Sequence, residues 1–101
     1  MNRVFITVTG LRFRFGLKFI KENMILRLRK EPENEHDSEA IEVKLDGLGR
    51  IGYVANCAHT VLGESHSAGY IYKMIGSKAF AKVLYVLEDR DSVVCELLMY
   101  K

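Results

Sequence analysis

Apolar and polar side chains alternate with a period of two in segment after segment of this chain, and that pattern commits it to strands with one buried face. Val4, Ile6 and Val8 alternate with Phe5, Thr7 and Thr9, and Met24, Leu26 and Leu28 alternate with Ile25, Arg27 and Arg29. Ile41, Val43 and Leu45 alternate with Glu42 and Lys44, and the turn Asp46-Gly47-Leu48-Gly49 leads into a short strand from Arg50 to Val54, which makes a hairpin. Ala79 to Leu87 and Ser92 to Tyr100 are β-branched and aromatic runs, apolar on both faces, joined by the polar loop Glu88 to Asp91. Between the two groups of strands, Asn56 to about Met74 shows no alternation. Its helix formers, broken by Gly63, Gly69 and serines and ended by Gly76 and Ser77, predict two short helices.

Six strands in a chain of 101 residues predict a mainly β fold, either a small barrel or a strongly curved antiparallel sheet, since closing the sheet protects its edges. The expected order is four strands, two short helices and two strands, forming one domain over residues 1–101. With 49% hydrophobic and 28% charged residues, the chain is not of the disordered class. No apolar run approaches the roughly 20 residues of a membrane helix, and no signal-type stretch precedes Gly10 and Arg12, so a cytoplasmic protein without membrane contact is expected. Cys57 and Cys95 are too few for a disulfide scaffold and read as thiols.

Charge is distributed in blocks. Residues 1–30 carry eight basic side chains against Glu22 alone, net +7, and residues 31–46 carry seven acids against Lys44, net −6. If the blocks pair as neighbouring strands, cross-strand ion pairs absorb the asymmetry. The other reading is a basic face that attracts phosphates.

The most distinctive segment runs from Glu31 to Ile41. Pro32, the only proline, stands where a strand gives way to a loop and its missing donor is no loss. Lys30 (or Arg29), Pro32, Asn34, His36, Asp37, Ala40, Ile41 and Val43, together with the earlier Gly10-Leu11-Arg12-Phe13 and the later Ile51-Gly52-Tyr53, resemble the motifs of the HIRAN domain family in order and spacing. They cover most of residues 4–62; the last 25 residues add only compatible strands.

The resemblance implies an OB-like β-barrel that binds single-stranded DNA and captures its 3′-hydroxyl end. In that picture Asp37 accepts a hydrogen bond from the terminal hydroxyl and repels a 3′-phosphate. Arg12 meets a phosphate, Phe13 and His36 stack on bases, and Asn34 holds the loop or reads a base edge. Arg14, Lys18, Arg27 and Arg29 are further candidates for phosphate contacts. Each has an ordinary alternative: Asp37 as a turn carboxylate bonded to its own backbone, Phe13 as a core residue, His36 as a solvated side chain. Two departures from the family pattern stand out, Glu35 in place of a proline before His36 and Asn56 in place of a basic residue after the third motif. Tyr53 reads as packing.

Eukaryotic relatives attach such a domain to SWI/SNF-type ATPases that remodel stalled forks, and here no G-x-x-x-x-G-K-[ST] loop is present. The expectation is a module without chemistry or cofactor, accessory to DNA repair or fork processing and serving a helicase, ATPase or nuclease in trans. Three enzyme or metal readings are weaker. Cys57 and His59 lack an orienting third group, Glu31, Glu33 and Asp37 could be drawn as the metal site of a nuclease, and Cys57, Cys95, His59 and His66 lack the paired spacings of structural zinc. The remaining alternative is a protein-interaction module using the helical segment around Tyr70, Ile71, Tyr72 and Met74, which otherwise covers one end of the core.

Overall fold

The computed structural model describes residues 3–11 and 17–98. Its six strands are β1 (Phe5–Thr9), β2 (Ile25–Lys30), β3 (Ile41–Leu45), β4 (Gly49–Val54), β5 (Lys78–Leu87) and β6 (Ser92–Leu98), with one helix, α1 (Ala68–Tyr72), between β4 and β5. They close into a barrel in the order β1-β4-β3-β2-β5-β6, with every pairing antiparallel and β6 joined back to β1. The barrel expected from alternation is thus the fold, and the alternating apolar residues fill it: Ile6, Val8, Leu26, Leu28 and Val43 are at most 1% exposed. Truncating Ile6, Leu26 or Leu28 to alanine would cost about 2–5 kcal/mol, the lost burial plus the void left behind.

The two long strands β5 and β6 also supply the core. Inward-facing Val83, Val93 and Cys95 belong to the core, and burial pushes the Cys95 thiol up to about 12. On the outer side, residues 62–66 run along β1 as a strap. The Leu62 N–H donates to Thr7 Oγ1 at 3.1 Å, Thr7 Oγ1 lies 2.7 Å from Ser65 Oγ, and the His66 N–H donates to the Phe5 carbonyl at 2.6 Å. The strap accounts for the fully buried Thr7 on the outward-facing set of β1.

It also corrects the expectation of two helices. Only α1 forms; the first half of the segment makes a single turn, in which the Thr60 and Val61 N–H groups both donate to the Cys57 carbonyl. The next donors are spent on β1 instead of on carbonyls one turn back, so the helix cannot propagate. Ser67 caps α1, its Oγ accepting from the Tyr70 N–H at 3.2 Å, and Ala68 and Ile71 enter the core while Tyr70 and Met74 stay exposed. The Glu88–Arg90 loop forms a short 3-10 turn. No helix among the described residues is long and apolar enough to cross a membrane.

At Gly52 the neighbouring backbone leaves no room for a side chain. A Cβ there would lie 2.4 Å from the Thr9 carbonyl oxygen and 3.3 Å from Leu11 Cδ2, so only glycine lets β1 and the buried Leu11 cross β4 at this point.

Candidate functional site

The loop from Glu31 to Ala40 leaves the barrel between β2 and β3 and is closed on itself at both ends. The Glu31 N–H donates to the Ala40 carbonyl at 2.8 Å, and the Ala40 N–H to the Asp37 carbonyl at 3.0 Å. Asn34 organises the interior of the loop. Its Oδ1 accepts from the N–H groups of His36 (2.8 Å) and Asp37 (3.0 Å), while its Nδ2 donates to Glu31 Oε1 at 3.1 Å. Both carbonyl lone pairs and one amide hydrogen are therefore committed to holding the loop.

The Asp37 carboxylate is half-buried and fixed from two sides. Oδ1 accepts from the Glu39 N–H at 2.8 Å, and Oδ2 accepts from Asn56 Nδ2 at 3.0 Å. The turn role considered from the sequence is real, yet a carboxylate offers about four acceptor positions, so two stay open in a fixed orientation. Asn56, at the end of β4, is the connector: the same Nδ2 donates to Glu39 Oε1 at 3.2 Å, and its Oδ1 accepts from the Gly69 N–H of α1 at 2.7 Å. That last bond fixes which end of the amide is oxygen. A Cβ on Gly69 would lie 2.6 Å from Glu39 Oε1, so the lack of a side chain admits the carboxylate to the helix.

Beneath the loop lies a second network. The Tyr53 hydroxyl donates to Glu31 Oε1 at 2.9 Å and accepts from an Arg50 guanidinium nitrogen at 2.8 Å. Partial desolvation acts to raise the Glu31 carboxyl, but hydrogen bonds from Asn34 and Tyr53 outweigh it and hold the group below the usual carboxylate range. Desolvation, followed by the same bond to Glu31, raises the Tyr53 phenol. Tyr53 thus does more than pack, and Arg50, Tyr53 and Asn56 are structural partners of the loop absent from the candidate set drawn from sequence.

Those candidates fall into separate places. Asn34, His36 and Asp37 share the loop, with the His36 ring exposed. Arg12, Phe13 and Arg14 lie outside the described residues; the residue before them, Leu11, is packed against Gly52 on β4. Arg27 and Arg29 project from the outer face of β2 and are ion-paired, Arg27 Nε with Asp46 Oδ1 at 2.9 Å and Arg29 Nε with Glu42 Oε1 at 3.2 Å. The basic and acidic blocks therefore do meet as neighbouring strands. Lys18 is remote, beside Glu88 and Asp91 at the far end of β5 from the strand start that pairs with Arg29. Of the metal readings, Cys57 is exposed while Cys95 is buried in the barrel. Glu31 and Asp37 are turned to different partners, and among the described residues no three His, Cys, Asp or Glu side chains form a group that could hold a metal ion.

The family model that matches the chain is the HIRAN domain, over residues 1–97. Among solved structures, the crystal structure of the HIRAN domain of human HLTF aligns with a TM-score of 0.67 at 18% identity, covering 95% of this chain and 73% of that one. The crystal structure of a protein from Lactobacillus plantarum aligns with a TM-score of 0.64 at 18% identity, covering 95% of this chain and 93% of that one. At such identities the likeness is one of fold. No curated protein matches the sequence.

Proposed function

The chain belongs to the HIRAN domain family, and from that membership we propose that it is a non-catalytic module, one domain over residues 1–101, that binds single-stranded DNA and holds the 3′-hydroxyl end. The observation that carries this reading is the state of Asp37: a carboxylate fixed by Glu39 and Asn56 at the barrel rim, with acceptor positions left open beside an exposed His36 ring. A terminal hydroxyl can donate to such a group at no cost in side-chain ordering, whereas a terminal phosphate meets a fixed like charge. His36 supplies a stacking surface, Arg12 a phosphate contact and Phe13 a second stack, while Asn34 keeps the loop in shape. The module serves a helicase, ATPase or nuclease acting on DNA in repair or at replication forks, in the cytoplasm.

Fluorescence anisotropy with short single strands ending in a 3′-hydroxyl or a 3′-phosphate, over a salt series, tests this. The wild type is expected to favour the hydroxyl end by about tenfold, the size of one charge-assisted hydrogen bond, and Asp37→Ala to lose the preference. Equal affinity for the two ends in the wild type refutes end capture.

A further inference from the structure

The outer surface where β5, β2 and β3 lie side by side has a composition that the loop does not use. Register sets Phe80 opposite Arg27, Lys78 opposite Arg29, and Lys44 opposite Arg27 on its other side. Phe80, half-buried and with the Arg27 guanidinium 5.9 Å from its ring centroid, stands between two depressions. One, of about 210 Å³, is lined by Arg27, Arg29, Lys44 and Lys78. The other, of about 320 Å³, is lined by Met74, Ile75 and Leu98, with Lys78 and Phe80 forming the shared wall. Next to the apolar side, Lys30 Nζ donates to the Ile75 carbonyl at 2.7 Å and lies 4.4 Å from the Tyr72 ring centroid.

One side of Phe80 therefore presents positive charge and the other an apolar hollow with an aromatic edge, which is the division within a nucleotide between phosphate and base. The ion pairs on the face do not silence it. Four cations line the basic depression, and the acids paired with them are Glu42 and Asp46. The Arg27–Asp46 pair leaves both side chains more than half exposed, so a phosphate competes with it at little cost. Lys78 is exposed and has no acidic partner among the described residues. The face adjoins the loop directly: from Arg27 to Glu31 is four residues of chain, about 13 Å at strand spacing.

We infer that this face is a second contact surface for single-stranded DNA, carrying the strand that leads up to the captured 3′ end, with a base in the Met74, Ile75 and Leu98 hollow that Phe80 walls and its phosphates on Lys78, Arg27, Arg29 and Lys44. The inference rests on the end-capture reading for its polarity but not for its existence. It predicts that a strand of about 12 nucleotides, within the range of single-strand sites, binds more tightly than one of about 2, because a dinucleotide held at its 3′ end is too short to cross the roughly 13 Å from the loop to Phe80.

The experiment measures anisotropy with both lengths, each ending in a 3′-hydroxyl or a 3′-phosphate, for the wild type, Phe80→Ala and Lys78→Glu. Lys78 is exposed, so Lys78→Glu tests the surface without touching the core. The expected result is a gain with length of about tenfold in the wild type, lost in both variants. The salt dependence of the longer strand should also become shallower in Lys78→Glu. A length gain that survives both substitutions overturns the inference and leaves end capture standing. Binding that ignores the 3′ group yet falls in both variants overturns end capture and keeps this face. No binding of either strand by the wild type at low salt overturns both.

Discussion

Asn56→Asp is the sharpest probe of how the loop is held, because it changes no volume. In the wild type the Nδ2 group donates to Asp37 Oδ2 at 3.0 Å and Glu39 Oε1 at 3.2 Å, and Oδ1 accepts from the Gly69 N–H. The variant keeps the last bond and turns the first two into contacts between carboxylates. Losing two charge-assisted bonds at a partly solvated site costs about 1 kcal/mol each. Repulsion at these separations in a water-like dielectric adds roughly 1.3 kcal/mol per pair. The exposed Glu39 can swing away, which leaves a destabilisation of about 3 kcal/mol near neutral pH. Crowding favours proton uptake by the folded variant over its unfolded chain, and a group protonated more readily in the folded state loses stability as pH rises, so the deficit shrinks on acidification. Urea unfolding followed by circular dichroism near pH 7 and near pH 5 gives both numbers. A deficit below about 1 kcal/mol at pH 7, or one equal at the two pH values, refutes Asn56 as the clamp on Asp37.

Two further outcomes follow from the barrel itself. Gly52→Ala places a methyl 2.4 Å from the Thr9 carbonyl oxygen, and urea unfolding is expected to show a loss of about 2–4 kcal/mol, beyond the usual range for overpacking because the obstacle is backbone. In a thiol assay Cys57 reacts at once and Cys95 only on unfolding; since burial pushes Cys95 up to about 12, the unfolded chain loses its proton first, so stability falls as pH climbs above the ordinary thiol value near 9, and Cys95→Ala removes that part of the decline.

A strand is most readable where it buries one face only, as in β2, whose Leu26 and Leu28 alternate with Arg27 and Arg29 in the sequence as they do in the barrel. The signal blurs where a strand is covered twice. Thr7 and Phe5 lie beneath the strap, and the same strap consumes the donors that would have made a second helix. The inner bonds of the loop were also within reach of sequence, since Asn34 and Asp37 bond groups two or three residues away. What supports the loop from outside was not. Tyr53 is 22 positions from Glu31 and Asn56 is 19 from Asp37; only the β3–β4 register brings them together. Likewise nothing in the spacing of Arg27, Lys44 and Phe80 announces that three different strands set them side by side.

The seam of the barrel imposes an order on its making. β1 shares only two residue pairs with β4, and its other edge is closed by β6, with Phe5 opposite Glu96. Partners 91 positions apart cannot meet until nearly the whole described chain has left the ribosome. Until then the segment Phe-Ile-Thr-Val-Thr waits as an unpaired, strongly β-prone edge, open to other chains. Closure of so long a loop also places the domain among slow folders, on the scale of milliseconds to seconds. A nascent chain stalled before Ser92 would therefore expose two raw edges at once, on β1 and on β5, and that exposure to aggregation would end only when β6 is made and closes the seam.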